Sequence, residues 1–176
     1  MDFSYVVADS ETNLIPATRV FMVGVQDIMS GEYRSYVGTD EVAEAYYRMS
    51  TESKIIAGHN FRLYDAKTVG EKIVGITIPQ EKIIDTLDMA RDLLPKLRNH
   101  KLETLGQIIG LPKLKAPLFE EYSKEMDTYC ERDVRLNTAA LGFLYAIHLQ
   151  SAAFGLRYNF ALLNQHAEAL SRSIIV

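Results

Sequence analysis

Hydrophobic residues form short continuous runs in the first half of this chain and helix-spaced stripes in the second half. Short apolar runs bounded by turn residues are typical of buried strands, and apolar positions three and four residues apart are typical of helices. The pattern predicts strands within residues 3–8, 20–28, 33–37, 54–57 and 81–85. It predicts helices over about 40–49, 65–74, 86–94, 101–109, 120–150 and 160–174.

The order of these elements predicts an α/β protein. The first three strands are joined by short connections, with a turn at residues 29–32, and should form an antiparallel meander. Strands then alternate with helices, and the rest is helical, which is typical of a mixed sheet flanked by helices. We predict a single domain over residues 1–176, with a core over about 3–148 and a helical C-terminal extension over 154–176.

Composition is that of one globular domain. The chain has 176 residues, of which 48% are hydrophobic and 24% charged, so disorder is excluded. A single cysteine, Cys130, rules out an intramolecular disulfide and a cysteine-based zinc site. Neither a signal peptide nor an apolar run of the roughly 20 residues that a membrane helix needs is visible. We therefore expect a cytoplasmic protein that does not bind membranes.

The first cluster of polar side chains that suggests chemistry directly follows the first predicted strand. Asp9 and Glu11 are separated by one residue, and in an extended chain residues i and i+2 point to the same side. Neighbouring carboxylates repel each other unless a cation or proton compensates, and oxygen ligands of this kind suit Mg²⁺ or Mn²⁺. The pair indicates a metal site, although a solvated strand end would have the same sequence.

A second polar motif, residues 58–65, connects the fourth predicted strand to the next helix. Asp65 stands where that helix begins and would either join a site at the strand ends or serve the helix dipole alone. Asn60 would either contact a ligand or satisfy backbone groups of the loop.

The third motif lies on the long predicted helix. Tyr129 and Asp133 are four residues apart, so they share one helix face. A phenol one turn from a carboxylate can orient or deprotonate a water held on a metal. The alternative is a core tyrosine beside a surface aspartate that pairs with Arg132 or Arg135.

Together the three motifs resemble those of the DEDD exonuclease superfamily, which has a ribonuclease-H-like fold. Asp9 and Glu11 match its first motif, while Asp65 matches the second and Asp133 the third. In the tyrosine subclass a tyrosine precedes the last aspartate by four residues, as Tyr129 does here. The histidine subclass has histidine five residues before that aspartate, where this chain has threonine.

The likeness is greatest to the proofreading domain of family A replicative DNA polymerases of short-tailed phages. It covers about residues 3–148, and it includes the His-Asn-x-x-x-Tyr-Asp pattern at 59–65 and the Tyr-x-x-x-Asp-Val pattern at 129–134. Residues 84–87 and 100–106 also resemble the segments between the second and third motifs of proofreading domains. Such a polymerase would continue past Val176, so we expect either a separately encoded exonuclease or an excised domain.

The resemblance implies two-metal-ion hydrolysis of DNA from its 3′ end to nucleoside 5′-monophosphates. Tyr129 would position the attacking water. Two divalent ions, Mg²⁺ or Mn²⁺, would be held by Asp9, Glu11, Asp65 and Asp133. The single-stranded or frayed 3′ end would contact Thr12, Leu14, Ile15, His59 and Asn60.

Net charge qualifies this expectation. A charge of −4 is unusual for a nucleic-acid binder, because phosphates generally select a basic surface. Ions held between carboxylates and phosphates would supply the missing positive charge locally. Single-stranded DNA could also follow either of two basic clusters, although both could equally be solvated faces: Lys96, Arg98, His100 and Lys101, and Lys113 with Lys115.

Two other functions fit the same motifs. One is an RNA 3′→5′ exonuclease of the ribonuclease D type, whose catalytic residues are the same. The other is a module that docks to a DNA polymerase and works mainly by binding. A separately encoded polymerase is a candidate partner under the proofreading hypothesis.

Overall fold

The computed structural model describes residues 1–13, 15–153 and 165–172, and its centre is a five-stranded sheet. The strands are β1 (Tyr5–Thr12), β2 (Val20–Asp27), β3 (Tyr33–Val37), β4 (Ile55–Gly58) and β5 (Ile83–Asp85). They lie side by side in the order β3-β2-β1-β4-β5. The first three are antiparallel neighbours, whereas β4 and β5 run parallel to β1. The predicted mixed sheet is confirmed.

Within the described ranges lie six longer helices and one 3₁₀ turn, Gln80–Lys82, which precedes β5. The six helices are α1 (Thr39–Glu52), α2 (Arg62–Val74), α3 (Thr86–Leu93), α4 (Leu102–Ile109), α5 (Lys124–Ala153) and α6 (Ala167–Arg172). The long helix begins four residues later than predicted, and α2 begins three residues earlier. The helix predicted over 160–174 lies partly outside the described residues.

Helices cover both faces of the sheet. Strand β1 shows why, since successive residues point to opposite faces. Val6 and Ala8 belong to a core cluster that includes Tyr46 of α1 and Val69 of α2. Val7 belongs to a second cluster, whose helical members come from α3, α4 and α5: Met89, Ala90, Leu102, Leu105, Val134, Leu141 and Leu144.

The topology brings the polar motifs to one edge of the sheet. Because β1 and β4 are parallel neighbours, their carboxyl ends meet at the same edge, which is where ligands bind in open α/β sheets. Asp9 and Glu11 lie near the end of β1, and the 58–65 motif starts at the end of β4. Within the described ranges, no helix is both long enough and apolar enough to span a bilayer.

Candidate metal centre

Strand β1 directs its two carboxylates toward α5. Val7 packs in the cluster beneath that helix, and Asp9 and Glu11 continue the same side of the strand. Ser10 points to the other face, where its hydroxyl is 2.8 Å from that of Tyr46. The alternation predicted from the sequence is therefore present in the structure.

Helix α5 reaches the carboxylates because it packs closely on β2 and β1. A Cβ atom at Gly24 of β2 would lie only 2.7 Å from Cys130 Sγ, so only glycine permits this approach. The Cys130 thiol donates to the Asp9 carbonyl at 3.5 Å, and its sulfur lies within 4.8 Å of carboxylate oxygens of Asp9 and Glu11. This packing places Tyr129 and Asp133 beside the end of β1.

Asp65 enters from the opposite helical layer. Its side chain is buried near the start of α2, which is wound with i→i+5 hydrogen bonds, as from the Ala66 amide to the Phe61 carbonyl. The Tyr46 hydroxyl, which is next to Ser10, donates to the Asp65 carbonyl at 3.1 Å. Contacts with α1 and β1 thus hold Asp65 at the edge of the sheet.

The predicted convergence is present. Asp9, Glu11, Asp65, Asp133 and Tyr129 all line one cavity of about 420 Å³. The structure therefore places these five side chains together, as the sequence interpretation required; their catalytic and metal-binding roles remain predictions.

Three unbonded oxygens show that this cavity suits a cation. Among the described residues, the carboxylate atoms Glu11 Oε1, Asp65 Oδ1 and Asp133 Oδ1 are buried without a hydrogen-bond partner. Buried polar atoms are nearly always hydrogen-bonded, so three unpaired oxygens in one cavity need an explanation. Hard divalent cations such as Mg²⁺ prefer oxygen ligands of this type, and the donor set fits such an ion.

The carboxyl groups also destabilise one another's charge. Burial, followed by repulsion from Asp133, raises the pKa of Asp9 to about 7. Burial and the charge of Asp9 raise the pKa of Glu11 to about 9. The same two causes raise the pKa of Asp65 well above its ordinary value. A bound cation would reverse these shifts by stabilising the ionised forms.

Lys113 contributes a positive charge to the cavity that the motifs did not predict. Its ammonium nitrogen lies 2.5 Å from Asp133 Oδ2 and 5.1 Å from the centre of the Tyr129 ring. Burial raises the pKa of Asp133 and Lys113 lowers it, with a net rise. The sequence predicts Lys113 only as part of a basic cluster, because nothing in its local pattern indicates an ion pair with a distant helix.

The 58–65 motif is held by Asp85, at the end of β5. One carboxylate oxygen of Asp85 accepts a hydrogen bond from the backbone N–H of Asn60 at 2.9 Å, and the other accepts one from the backbone N–H of Arg62 at 3.0 Å. Asn60 has a φ of 61°, a left-handed conformation that asparagine tolerates better than most residues. His59 Nδ1 is 3.0 Å from the Thr86 hydroxyl, and burial followed by the charge of Lys113 lowers the pKa of His59 to about 4.

The remaining predicted substrate contacts differ in their surroundings. Thr12 is buried, and its hydroxyl contacts that of Tyr64. Ile15 lines the cavity with its side chain 84% exposed, which leaves an apolar surface free to contact a base. Leu14 lies outside the described residues. Phe119, which the motifs did not indicate, lines the same cavity and packs edge-on against Tyr129 at 6.0 Å.

A larger groove of about 940 Å³ adjoins the carboxylate cavity, and we call it the basic groove. The two share His59, Asn60, Lys113 and Tyr129. The other cationic or ionisable basic side chains along the groove are Arg91, His100, Lys101 and Lys115. The groove thus joins parts of both predicted basic clusters, whereas Lys96 and Arg98 are exposed and lie outside its lining.

Comparisons with known proteins bear on the fold. No protein-family model and no curated protein matches the sequence. Brucella melitensis NrnC superposes with a TM-score of 0.69 at 16% identity, over 98% of this chain and 84% of that one. NrnC with bound Mg²⁺ gives 0.68 at 15% identity with the same coverage. The catalytic core of RRP6 from Trypanosoma brucei gives 0.60 at 15% identity, over 97% of this chain and 46% of that one.

At these identities the likeness extends to the fold alone. The neighbours superpose over nearly the whole of this chain, which is a five-stranded mixed sheet with helices on both faces. This chain therefore has the ribonuclease-H-like fold that the sequence predicted.

Proposed function

We propose that this protein is a metal-dependent 3′→5′ exonuclease that releases nucleoside 5′-monophosphates from DNA. The proposal depends on one observation, the convergence of four carboxylates in a cavity where three of their oxygens have no hydrogen-bond partner among the described residues. The motif resemblance to DEDD exonucleases of the tyrosine subclass supports it. So does the fold shared with NrnC, which has been solved with bound Mg²⁺.

Each carboxylate has a distinct place in this proposal. Asp9 lines the cavity with Glu11 and Asp65, and its charge raises the pKa of both, so it is the candidate to be shared by two ions. Glu11 and Asp133 would complete one ion site, and Asp65 would complete the other. Bound Mg²⁺ or Mn²⁺ would activate water as a nucleophile and stabilise the leaving oxygen.

Tyr129 would orient the attacking water by donating a hydrogen bond. Burial is the main cause that raises its pKa to about 12, so the phenol keeps its proton at neutral pH. Of the two roles that the sequence left open, this favours orientation over deprotonation, because a general base needs a pKa near the working pH.

The cavity suits the 3′ end of a DNA strand. Its volume of about 420 Å³ is within the range of about 300–1,000 Å³ found for small-ligand sites, so it would take one nucleotide. Thr12, Ile15 and Asn60 line it, and exposed Ile15 would pack against a base without regard to its identity. The basic groove would hold the phosphates that precede the terminal nucleotide.

DNA is the proposed substrate, and proofreading beside a DNA polymerase is the proposed setting. The support is the likeness of residues 59–65 and 129–134 to the corresponding motifs of phage polymerases. Ribonuclease D-type enzymes share the catalytic residues, so the substrate has to be measured directly.

The test is digestion of DNA labelled at its 3′ or 5′ end, with single-stranded RNA in parallel, in Mg²⁺, Mn²⁺ or EDTA. We expect early loss of a 3′ label as mononucleotide, a gradual ladder from a 5′ label, and no reaction in EDTA. Asp9→Ala and Asp133→Ala should lower turnover by orders of magnitude while circular dichroism stays unchanged. Glu125→Ala, which removes an exposed carboxylate of the same helix, should leave turnover unchanged.

Several outcomes would contradict the proposal. Full activity of Asp9→Ala would exclude the metal assignment, and faster digestion of RNA than of DNA would establish the ribonuclease alternative. An intact chain that digests neither nucleic acid but co-elutes with a DNA polymerase would establish the docking module.

A further inference from the structure

Lys113 forms an ion pair with Asp133, one of the four carboxylates that would hold metal. Its ammonium nitrogen contacts Asp133 Oδ2 at 2.5 Å, and the Asp133 side chain is 3% exposed. The other oxygen, Asp133 Oδ1, has no hydrogen-bond partner within the described ranges. One half of this carboxylate is therefore neutralised by a side chain, and the other half is available to a ligand.

A lysine and a divalent ion cannot share this carboxylate without cost. Both are cations, and like charges a few ångströms apart repel strongly in a poorly hydrated cavity. The side chain of Lys113 is 25% exposed, so it has access to solvent. Binding of a divalent ion by Asp133 therefore favours displacement of Lys113.

The structure offers Lys113 a second place. The residue belongs to the irregular segment between α4 and α5, and it lines both the carboxylate cavity and the basic groove. Lys101 and Lys115 line the same groove, so an ammonium group released there needs an anion. Phosphates of a strand whose 3′ end occupies the carboxylate cavity would supply that anion.

We propose that Lys113 is an exchangeable counter-ion that neutralises Asp133 until a divalent ion binds there, and that then binds a phosphate of the nucleic acid in the basic groove. The phosphate contact rests on the proposed function, whereas the exchange with metal does not. Metal loading and strand binding are coupled through this one side chain.

The first measurement is Mn²⁺ affinity by isothermal titration calorimetry without nucleic acid. Lys113→Met removes the competing cation, and coupling between sites usually changes affinity by about 5- to 150-fold, so we expect Mn²⁺ to bind at least about fivefold more tightly. Lys113→Arg keeps the charge and should bind Mn²⁺ like the wild type. Lys115→Met is the matched control, because Lys115 lines the groove and forms no ion pair with Asp133 among the described residues.

The second measurement is the affinity for a nuclease-resistant phosphorothioate oligonucleotide in Mn²⁺ and in EDTA. Lys113→Met should weaken binding in Mn²⁺ more than in EDTA, because only metal frees the wild-type lysine. Lys115→Met should weaken binding by the same factor in both.

Two results would overturn the exchange: unchanged Mn²⁺ affinity in a folded Lys113→Met variant, or an equal gain in Lys113→Arg or Lys115→Met. An equal loss of oligonucleotide binding in Mn²⁺ and EDTA would overturn the phosphate contact. The Mn²⁺ titration contains no nucleic acid. Tighter Mn²⁺ binding by Lys113→Met together with absent nuclease activity would therefore contradict only the proposed function.

Discussion

Tyr129 and Asp133 lie one turn apart on α5, yet their surroundings give them different chemistry. One carboxylate oxygen of Asp133 pairs with Lys113, and the other has no hydrogen-bond partner in the described part of the chain. The second oxygen is therefore available to a cation. Tyr129 has a phenol whose pKa is raised to about 12, mainly by burial. It is therefore a protonated donor next to a proposed metal ligand.

Tyr129→Phe should separate these two roles. Removing the hydroxyl takes away the group proposed to orient water but leaves every carboxylate in place, so we expect kcat to fall with little change in KM or in Mn²⁺ affinity. A positioned proton-transfer group typically contributes about 10²–10⁴-fold, and loss of orientation alone should cost less, about 10–100-fold. Tyr122→Phe, at a more exposed tyrosine before α5, is the control for steady-state kinetics and calorimetry. A fall in Mn²⁺ affinity would show instead that Tyr129 supports the metal ligands.

Strand alternation made part of this site predictable. Asp9 and Glu11 face one way because each strand residue points opposite to the next, and Ser10 accordingly turns to Tyr46 on the other face. Lys113 was not predictable as a member of the site. It stands in an irregular segment with no periodicity, and its contact with Asp133 exists only after α5 has packed on the sheet.

At the scale of elements, the junction between β4 and α2 depends on a neighbouring strand. Asp85, at the end of β5, accepts the backbone amides of Asn60, Arg62 and Leu87. The sequence pattern predicts that the helix begins at about Asp65, where a carboxylate would satisfy the dipole. The structure starts it at Arg62 because an acceptor 23 residues away satisfies the first amides. The sequence near the start of the helix does not indicate such a partner.

Asp85→Asn tests this junction. The amide group presents a donor where an oxygen accepted a backbone N–H, so a buried donor loses its partner, which costs about 1–3 kcal/mol in the free energy of unfolding. Asn60 and His59 should lose their fixed positions, and kcat/KM for oligonucleotides should fall as well. Asp88→Asn is the control, since Asp88 is half exposed and pairs with arginines at the surface, where ion pairs contribute about 0–1 kcal/mol. Equal denaturation midpoints for the two variants would contradict this role of Asp85.

At the scale of the whole molecule, the carboxylate cavity joins the two helical layers through the sheet. Asp65 comes from α2 on one face, Asp133 comes from α5 on the other, and Asp9 and Glu11 come from the central strand between them. Repulsion among these groups acts on the global fold. A cation bound by all of them would stabilise that fold, because it binds the folded chain and not the unfolded one.

This repulsion predicts the direction in which the stability of the folded chain changes with pH. Asp9 has a pKa of about 7 and Glu11 of about 9, against ordinary values of 3.8 and 4.5. Between the ordinary and raised values the folded chain holds protons that the unfolded chain has released, so a rising pH favours unfolding. In EDTA, we expect the melting temperature to fall as the pH rises from about 5 to about 9.

Divalent metal should offset that trend. At a free concentration of about 100 times the dissociation constant, a ligand adds about 2.7 kcal/mol of stability, and each kcal/mol shifts the melting temperature of a domain this size by about 2–4 °C. We therefore expect Mn²⁺ to raise the melting temperature at pH 8 by about 5–10 °C and to flatten its dependence on pH. Glu11→Gln should reduce both the slope in EDTA and the shift in Mn²⁺, whereas Glu71→Gln, at an exposed position of α2, should alter neither. A melting temperature in EDTA that rises between pH 5 and pH 9 would show that these carboxyl groups are ionised in the folded chain without metal.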